Sequence, residues 1–270
     1  FSTNLFNKIL RIKKQDDKIT EAEIRLMIKN ASQEGVIENE QKSIHEKVFY
    51  FADKKAKHIM TRRNDIKWLN IDKPISEIKS KLSTFQHSKI ICGKGNLDNL
   101  VGILSLKNFY KSISTNNKVD IISLIIKPVI IDENLDAQKL LSLMKNKNTH
   151  ILCVVSEFGG FEGIITLHDI IEHIIGEIPE EDEVFEPHIF TRNDGSFLVN
   201  GDAPIEILNE IISDFDVDFE KIDYSTIAGF VINQIGNIPT LGITFEYSGF
   251  NFEIVDMDKN KVDKVLIQKI

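Results

Sequence analysis

The sequence predicts a mixed α/β (α+β) protein: two tandem β-α-β-β-α repeats packed as a pair, followed by a small α+β domain. The first observation behind this is internal similarity. LVGILSLKNFY, Leu100 to Tyr110, lies on FEGIITLHDII, Phe161 to Ile171, with Gly102 on Gly163, and a duplicated unit is the simplest source of such a match. The second is that the stretches leading into the two copies share one order of apolar patterns. The third is a change of pattern after Phe190, where strand-like runs separated by turn residues take over.

In the first copy, Lys73 and Pro74 open a helical spacing of Ile75, Ile78, Leu82 and Phe85, followed by an apolar strand from Lys89 to Cys92 and the glycine-led strand. In the second, Val129 to Ile131 reads as a strand and Ala137, Leu140, Leu141 and Met144 as a helix face. Ile151 to Val155 is a strand, and Glu157 to Gly160 is the turn before Phe161. One unit of roughly 55 residues leaves much of its apolar area wet, which two units pressed sheet to sheet avoid. The first fifty residues read as two amphipathic helices. One is opened by the capping-box pair Thr20 and Glu23, carries Ile24, Met27, Ile28 and Ala31, and is stopped by Gly35; the other runs from about Glu38 with Ile44, Val48 and Phe51 on one side. The last unit has a strand over Ser196 to Asn200, a helix carrying Ile205, Leu208, Ile211 and Ile212, and strands Ile243 to Tyr247 and Phe250 to Val255 around a Ser248-Gly249 hairpin turn. The expected division is 1–55, 56–118, 119–178, an acidic linker over 179–188, and 189–270.

Of the 270 residues 42% are apolar and 27% charged, with a formal net charge of −8. This is ordinary globular composition, and a net negative molecule has no diffuse field that draws nucleic acid or anionic lipid. Ile121 to Ile131 is broken by Lys127 and Pro128 and is far short of the ~20 residues of a membrane helix. Cys92 and Cys153 lie inside apolar runs, where cysteine acts as a small hydrophobe, and a reducing cytoplasm fits them. No nucleophile and base stand at a spacing that supports hydrolysis, and His58, His168 and His173 have no metal-ligand spacing with a cysteine or carboxylate. Glu177, Glu180, Glu181, Asp182, Glu183 and Glu186 read either as a solvated linker or as a divalent-cation sensor.

HIMTRRNDI (His58 to Ile66), THILCVVSEFGGFEGIITLHDIIEHIIGEI (Thr149 to Ile178) and STIAGFVINQIGNIPTLG (Ser225 to Gly242) together resemble the CorC/hemolysin C family of magnesium and cobalt efflux proteins, relatives of the cyclin M transporters. The repeat pair resembles cystathionine-beta-synthase (CBS) domains, and the C-terminal stretch the family's transporter-associated domain. The sequence departs from the family pattern at Arg62, where proline is usual, at Ser156, where aspartate is usual, and at Asn108, which replaces the aspartate of the nucleotide motif in the first repeat. FSTNLFNKIL looks like the segment that follows the last membrane helix in members with a transmembrane domain, so an upstream membrane domain is expected.

The resemblance implies an adenine nucleotide, ATP or AMP and by family logic ATP with magnesium, in the cleft between repeats. Its expected contacts are Thr61, Arg63, Ile130, Thr149, His150, Ile151, Gly163, Thr166 and Asp169. Chemically, Gly163 permits close approach, Thr166 starts a helix whose free amides suit a phosphate, and an ionised Asp169 can accept both ribose hydroxyls. Ile130 and Ile151 would sandwich the base, and Arg62 and Arg63 would offset phosphate charge. Thr166-x-x-Asp169 is equally the spacing of a plain capping box. The expected function is a cytoplasmic regulatory Mg-ATP-binding module of a magnesium/cobalt efflux membrane protein, a homodimer through its repeats that binds no nucleic acid and is no enzyme. The alternative is a nucleotide-independent dimerisation and interaction scaffold.

Overall fold

The computed structural model describes residues 19–115, 120–176, 187–212, 215, 218–219 and 221–270. The opening FSTNLFNKIL, the acidic residues from Glu177 to Glu186 and most of the expected linker lie outside the described residues. The chain divides into two compact units, Phe1–Glu46 and Lys47–Ile270. In the first, helix α1 (Glu21–Gln33) starts at Thr20, whose side chain and that of Glu23 each bond the other's backbone. That reciprocal cap satisfies two orphan amides, and Gly35 at φ +73° lets the chain turn away. Of its expected inner face, Ile24 and Met27 are exposed and Ile28 and Ala31 half-buried. Helix α2 (Asn39–Asp53) crosses the division, and Tyr50 and Phe51 at its end are buried.

In chain order the second unit continues with α3 (Ala56–Ile59), β1 (Thr61–Arg62), β2 (Trp68–Asn70), α4 (Ile75–Leu82), β3 (Lys89–Lys94), β4 (Asn96–Ser105), α5 (Leu106–Thr115), α6 (Ile121–Leu124) and β5 (Ile125–Ile126). Then follow β6 (Ile130–Asp132), α7 (Ala137–Lys147), β7 (Ile151–Val155), β8 (Phe161–Thr166) and α8 (Leu167–Ile175). The C-terminal part holds β9 (Ile189–Thr191), β10 (Phe197–Asn200), a 3-10 stretch Ile205–Glu210, α9 (Ile227–Ile235), β11 (Thr244–Tyr247), β12 (Phe250–Asp258) and β13 (Lys261–Lys269).

The sheets are ordered β2-β3-β4-β5, β1-β8-β7-β6 and β11-β12-β13-β10-β9. The two repeats exchange their leading segments. β1 pairs with β8 of the second repeat, and β5, at the start of the second repeat in sequence, pairs with β4 of the first. The cores agree: Phe51, Ala56 and Ile59 pack with Leu140, Leu152 and Ile165, while Ile121 packs with Leu69, Leu104 and Phe109. Gly102 and Gly163 are where the borrowed strands cross. A Cβ on Gly102 would stand 2.4 Å from the Ile126 carbonyl oxygen, and one on Gly163 2.4 Å from that of Thr61, so no side chain fits at either. The facing surfaces of the two sheets meet over an apolar layer of Ile91, Leu97, Ile103, Ile151, Cys153 and Phe161. Both cysteines are fully buried, and burial pushes both thiols up to about 12, so neither is a nucleophile.

The C-terminal sheet folds around Phe230 of α9, which is ringed by Tyr224, Phe245, Tyr247, Phe252 and Phe215 at centroid distances of 5.1 to 6.4 Å. The hairpin turn stands at Ser248 (φ +48°) and Gly249 (φ +80°), both left-handed as a two-residue hairpin turn requires. The helix expected through Ile212 is a 3-10 stretch ending at Glu210. Its start is held by the Pro204–Thr226 bridge, and Ile205 and Leu208 both face inward, three residues apart, as the tighter winding allows.

Candidate functional site

β8 runs straight into α8, and Thr166 is the last residue of one and the N-cap of the other (φ −99°, ψ 165°). The Thr166 amide donates to Asp169 Oδ2 at 2.7 Å, and Thr166 Oγ1 accepts from the Asp169 amide at 3.2 Å. The capping box is therefore formed. It uses one carboxylate lone pair of about four, so it orients Asp169 without exhausting it. Burial raises the Asp169 carboxyl above its ordinary value, opposed by the two bonds to Thr166. An ionised Asp169 is thus held against a desolvation cost that hydroxyl donors would offset.

The sheet register shows which expected residues meet. Thr61 lies opposite Ile164, Ile164 opposite Cys153, and Cys153 beside Ile130, so these four form one row across the sheet. Ile151 lies opposite Thr166, two residues along the same face. Thr61, Ile130, Ile151 and Thr166 are therefore brought to one face, with Ile130 56% exposed at the edge and Ile151 only 7%. Ile151 is part of the inter-repeat core, so of the two isoleucines expected to sandwich the base, Ile130 is the accessible one. Thr149 closes a local turn with Ile151, through Oγ1 donating to its carbonyl at 3.0 Å. His150 accepts the Leu167 amide on its carbonyl at 3.0 Å, which fixes the start of α8, while its ring is exposed.

Two expected residues act otherwise. The group that approaches Gly163 is the chain's own Thr61 carbonyl, together with Met60, so its lack of a side chain serves strand crossing. Arg63 is at the far end of β8: its amide bonds the Glu162 carbonyl, four positions and ~13 Å of strand away from Thr166. Its guanidinium is bidentate on Asp98 of β4, at 2.9 and 3.1 Å, and so clamps one repeat to the other. Arg62 is exposed opposite Gly163.

The first repeat repeats this layout with different chemistry. Ser105 lies opposite Lys89 as Thr166 lies opposite Ile151, and Ser105 Oγ accepts from the Asn108 amide at 3.5 Å. A cavity of about 450 Å³ opens here, lined by Asn108, Lys111, Ser112, Ser123 and Ile126 among others. Sequence reasoning passed over Lys89, Ser105 and Lys111. Laying the second motif on the first residue by residue would have found Ser105; Lys89 needed the strand register.

His58 and His173 prove structural. His58 is buried, its Nδ1 accepting from the Lys55 amide at 3.2 Å, and burial with nearby Lys57 and Lys54 lowers it to about 4. His173 is lowered to about 4 by burial and Lys54. Both are neutral in the folded chain and have an ordinary value of 6.5 when unfolded. The unfolded state therefore binds more protons between these limits: stability is full above pH 6.5 and falls as pH drops toward 4. Urea midpoints that decline through that window, before most carboxylates titrate, are the expected result; a flat profile there contradicts it.

Two apolar-seamed repeats with exchanged strands, each ending in a capped strand-to-helix junction, and a separate antiparallel domain define a tandem-repeat module of the CBS type. The family model of the CBS domain matches residues 120–176, and that of the CorC/HlyC transporter associated domain matches residues 190–270. A UPF0053 protein of Synechocystis is 34% identical over 261 residues, covering 95% of this chain and 58% of its own length. The polyamine export protein of Escherichia coli K12 is 25% identical over 276 residues, covering 100% of this chain and 61% of its own. The solved CBS domain of a bacterial CNNM/CorC family Mg2+ transporter shares the fold, with TM-score 0.54 and 24% identity over 60% of this chain and 99% of that one. The chain belongs to the CorC/HlyC family, a transporter-associated family. It spans less than two thirds of the length of these curated relatives, and among its described residues no helix is long and apolar enough to cross a membrane.

Proposed function

We propose that this chain is the regulatory, adenine-nucleotide-binding part of an ion-transporting membrane protein, with ATP and magnesium as the natural ligand. The observation that supports it is the convergence of Thr61, Ile130 and Thr166 on one sheet face beside a carboxylate already oriented by its own helix cap. Base against Ile130, ribose on Asp169 and phosphates toward Thr166 and the first turn of α8 is the pose this arrangement suits. Magnesium would come with the nucleotide, because Arg63, one of the two expected counter-charges, is engaged with Asp98. The module would face the cytoplasm, pair with a second copy through its repeats, and bias an upstream membrane domain through unequal affinity for two states. The transported species is proposed as magnesium or cobalt from the family resemblance; the polyamine exporter among its relatives makes polyamines the competing cargo.

Calorimetric titration with ATP, ADP and AMP, each with and without magnesium, tests the reading. Asp169→Ala is expected to weaken binding by ~1.5–3 kcal/mol, the loss typical of a charge-assisted hydrogen bond. Asp169→Asn separates the two roles of the residue: an amide still caps the helix, so it keeps stability and loses affinity. Absence of heat with all three nucleotides would overturn the proposal.

The second reading, a nucleotide-independent scaffold, is favoured by one observation: the Thr166 and Asp169 side chains already satisfy each other's amides, as a purely structural cap would. It predicts a dimer by sedimentation that is silent in every titration.

A further inference from the structure

The segment from Tyr50 to Thr61 belongs to two domains at once. By its backbone it is part of the second repeat: the Ala137 amide bonds the Lys54 carbonyl at 2.9 Å, the Ala56 amide bonds the Leu135 carbonyl at 2.8 Å, and Thr61 is in the sheet with β8. By the side chains of Phe51, Ala56 and Ile59 it packs into the same repeat, while those of Tyr50, Lys54 and His58 reach the C-terminal domain. Tyr50 sits in that domain's core and accepts a hydrogen bond from Asn209. Lys54, 1% exposed, pairs with Glu206 of the 3-10 stretch at 2.5 Å, with its ammonium 5.2 Å from the Phe219 ring centre. The His58 ring lies 5.3 Å from the same Phe219.

A buried ion pair is a poor way to glue two surfaces for good, since desolvation cancels much of its attraction and apolar residues of the same size hold as well or better. Among the described residues, Glu206 Oε2 and the nearby His58 Nε2 are buried with no hydrogen-bond partner, atoms that water would satisfy once the surfaces part. Such an interface favours opening as a unit. The route from it to the candidate nucleotide site is short. α3 connects Lys54 directly to Thr61, and His173 of α8 bonds the Asp169 carbonyl at 2.8 Å while lying near enough to Lys54 for that charge to help lower its pKa.

We propose that Lys54 and Glu206 form a releasable latch holding the C-terminal domain against the second repeat, and that filling the Thr61–Thr166–Asp169 site changes how tightly the latch closes. The coupling rests on the nucleotide reading above; the latch itself does not. Any ligand that favours one latch state is in turn bound differently when the latch is broken, by the same factor.

The test uses the whole chain with spin labels on cysteines placed at Lys145 and Lys259, both exposed, one in each domain. Cys92 and Cys153 are fully buried and stay unlabelled. One narrow label-to-label distance is expected for the parent chain and a broadened or lengthened one for Lys54→Met, with Glu206→Gln as the milder variant should Lys54→Met fail to fold. Lys54→Met combined with Glu206→Leu, which leaves no unpaired charge, restores the narrow distance. Mg-ATP affinity is expected to differ at least about fivefold between the parent and the single variants and to return in the double. A distance unchanged in both single variants overturns the latch. A changed distance with unchanged Mg-ATP affinity overturns the coupling while leaving the site intact, and no Mg-ATP binding by the parent chain sinks the nucleotide reading and the coupling together.

Discussion

Phe230→Ala is expected to cost about 3–5 kcal/mol, the range for truncating a buried aromatic, and to unfold the C-terminal domain ahead of the repeats. The ring is 2% exposed and has aromatic neighbours on every side, five of them within 6.4 Å. Edge-to-face contacts with Tyr247 and Phe252 add to the area term, by about 0.5–1.5 kcal/mol for each such pair. The hole closes poorly, because its aromatic lining is split between Phe215 and Tyr224, which precede α9, and strands β11 and β12, whose hydrogen-bonded ladder fixes their positions. A total of 5–15 kcal/mol is typical of a domain, so the loss is a large share. A two-step urea transition, with the early step carrying the tyrosine signal, is the expected trace. A single unshifted transition would show that the aromatic cluster contributes little.

Gly163→Val is expected to be nearly as damaging, at about 3 kcal/mol from overpacking, and to abolish nucleotide binding as well. The first added carbon would lie 2.4 Å from the Thr61 carbonyl oxygen, which is backbone and cannot swing aside, and 3.0 Å from Met60 Sδ. Only displacement of β1 relieves the clash, and β1 carries Thr61. The control is Gly159→Ala at the tip of the SEFGG turn: its Cβ would meet nothing within 4 Å, although its φ of +80° makes alanine mildly strained. Denaturant midpoints and Mg-ATP titrations on the two variants check the pair. Equal effects from both would mean that the crossing at Gly163 is looser than its geometry implies.

The duplicated architecture was legible because the copies share a glycine, which each needs under a crossing strand, and one order of apolar patterns around it. The strand Ile151–Val155 and the cap at Thr20 were readable for local reasons. The exchange of β1 and β5 was not, since TR and II are two-residue strands with no period to detect, and only the distant partner makes them strands at all. β13 was hidden by register. Val262 and Val265 are three residues apart, an odd spacing that should place them on opposite faces of a strand, yet both are fully buried. The register steps from Lys264 to Val262 between Asp256 and Met257 of the partner strand, so Asp263 is an extra residue on β13 that breaks the alternation and lets both valines face inward. At the candidate site, the capping pair Thr166 and Asp169 was legible from spacing, whereas the engagement of Arg63 by Asp98 depends on a fold contact thirty-five positions away.

The exchange of leading strands also limits how the molecule can respond to a ligand. Each sheet borrows its border from the other half, so the halves are interlocked like clasped hands, and scissoring them apart means unzipping β1 from β8 or β5 from β4. Ligand binding thus acts on a rigid block, and the compliant joints must lie elsewhere. For the same reason, two polypeptides severed between the repeats should recognise each other when co-expressed and rebuild the block without a covalent link.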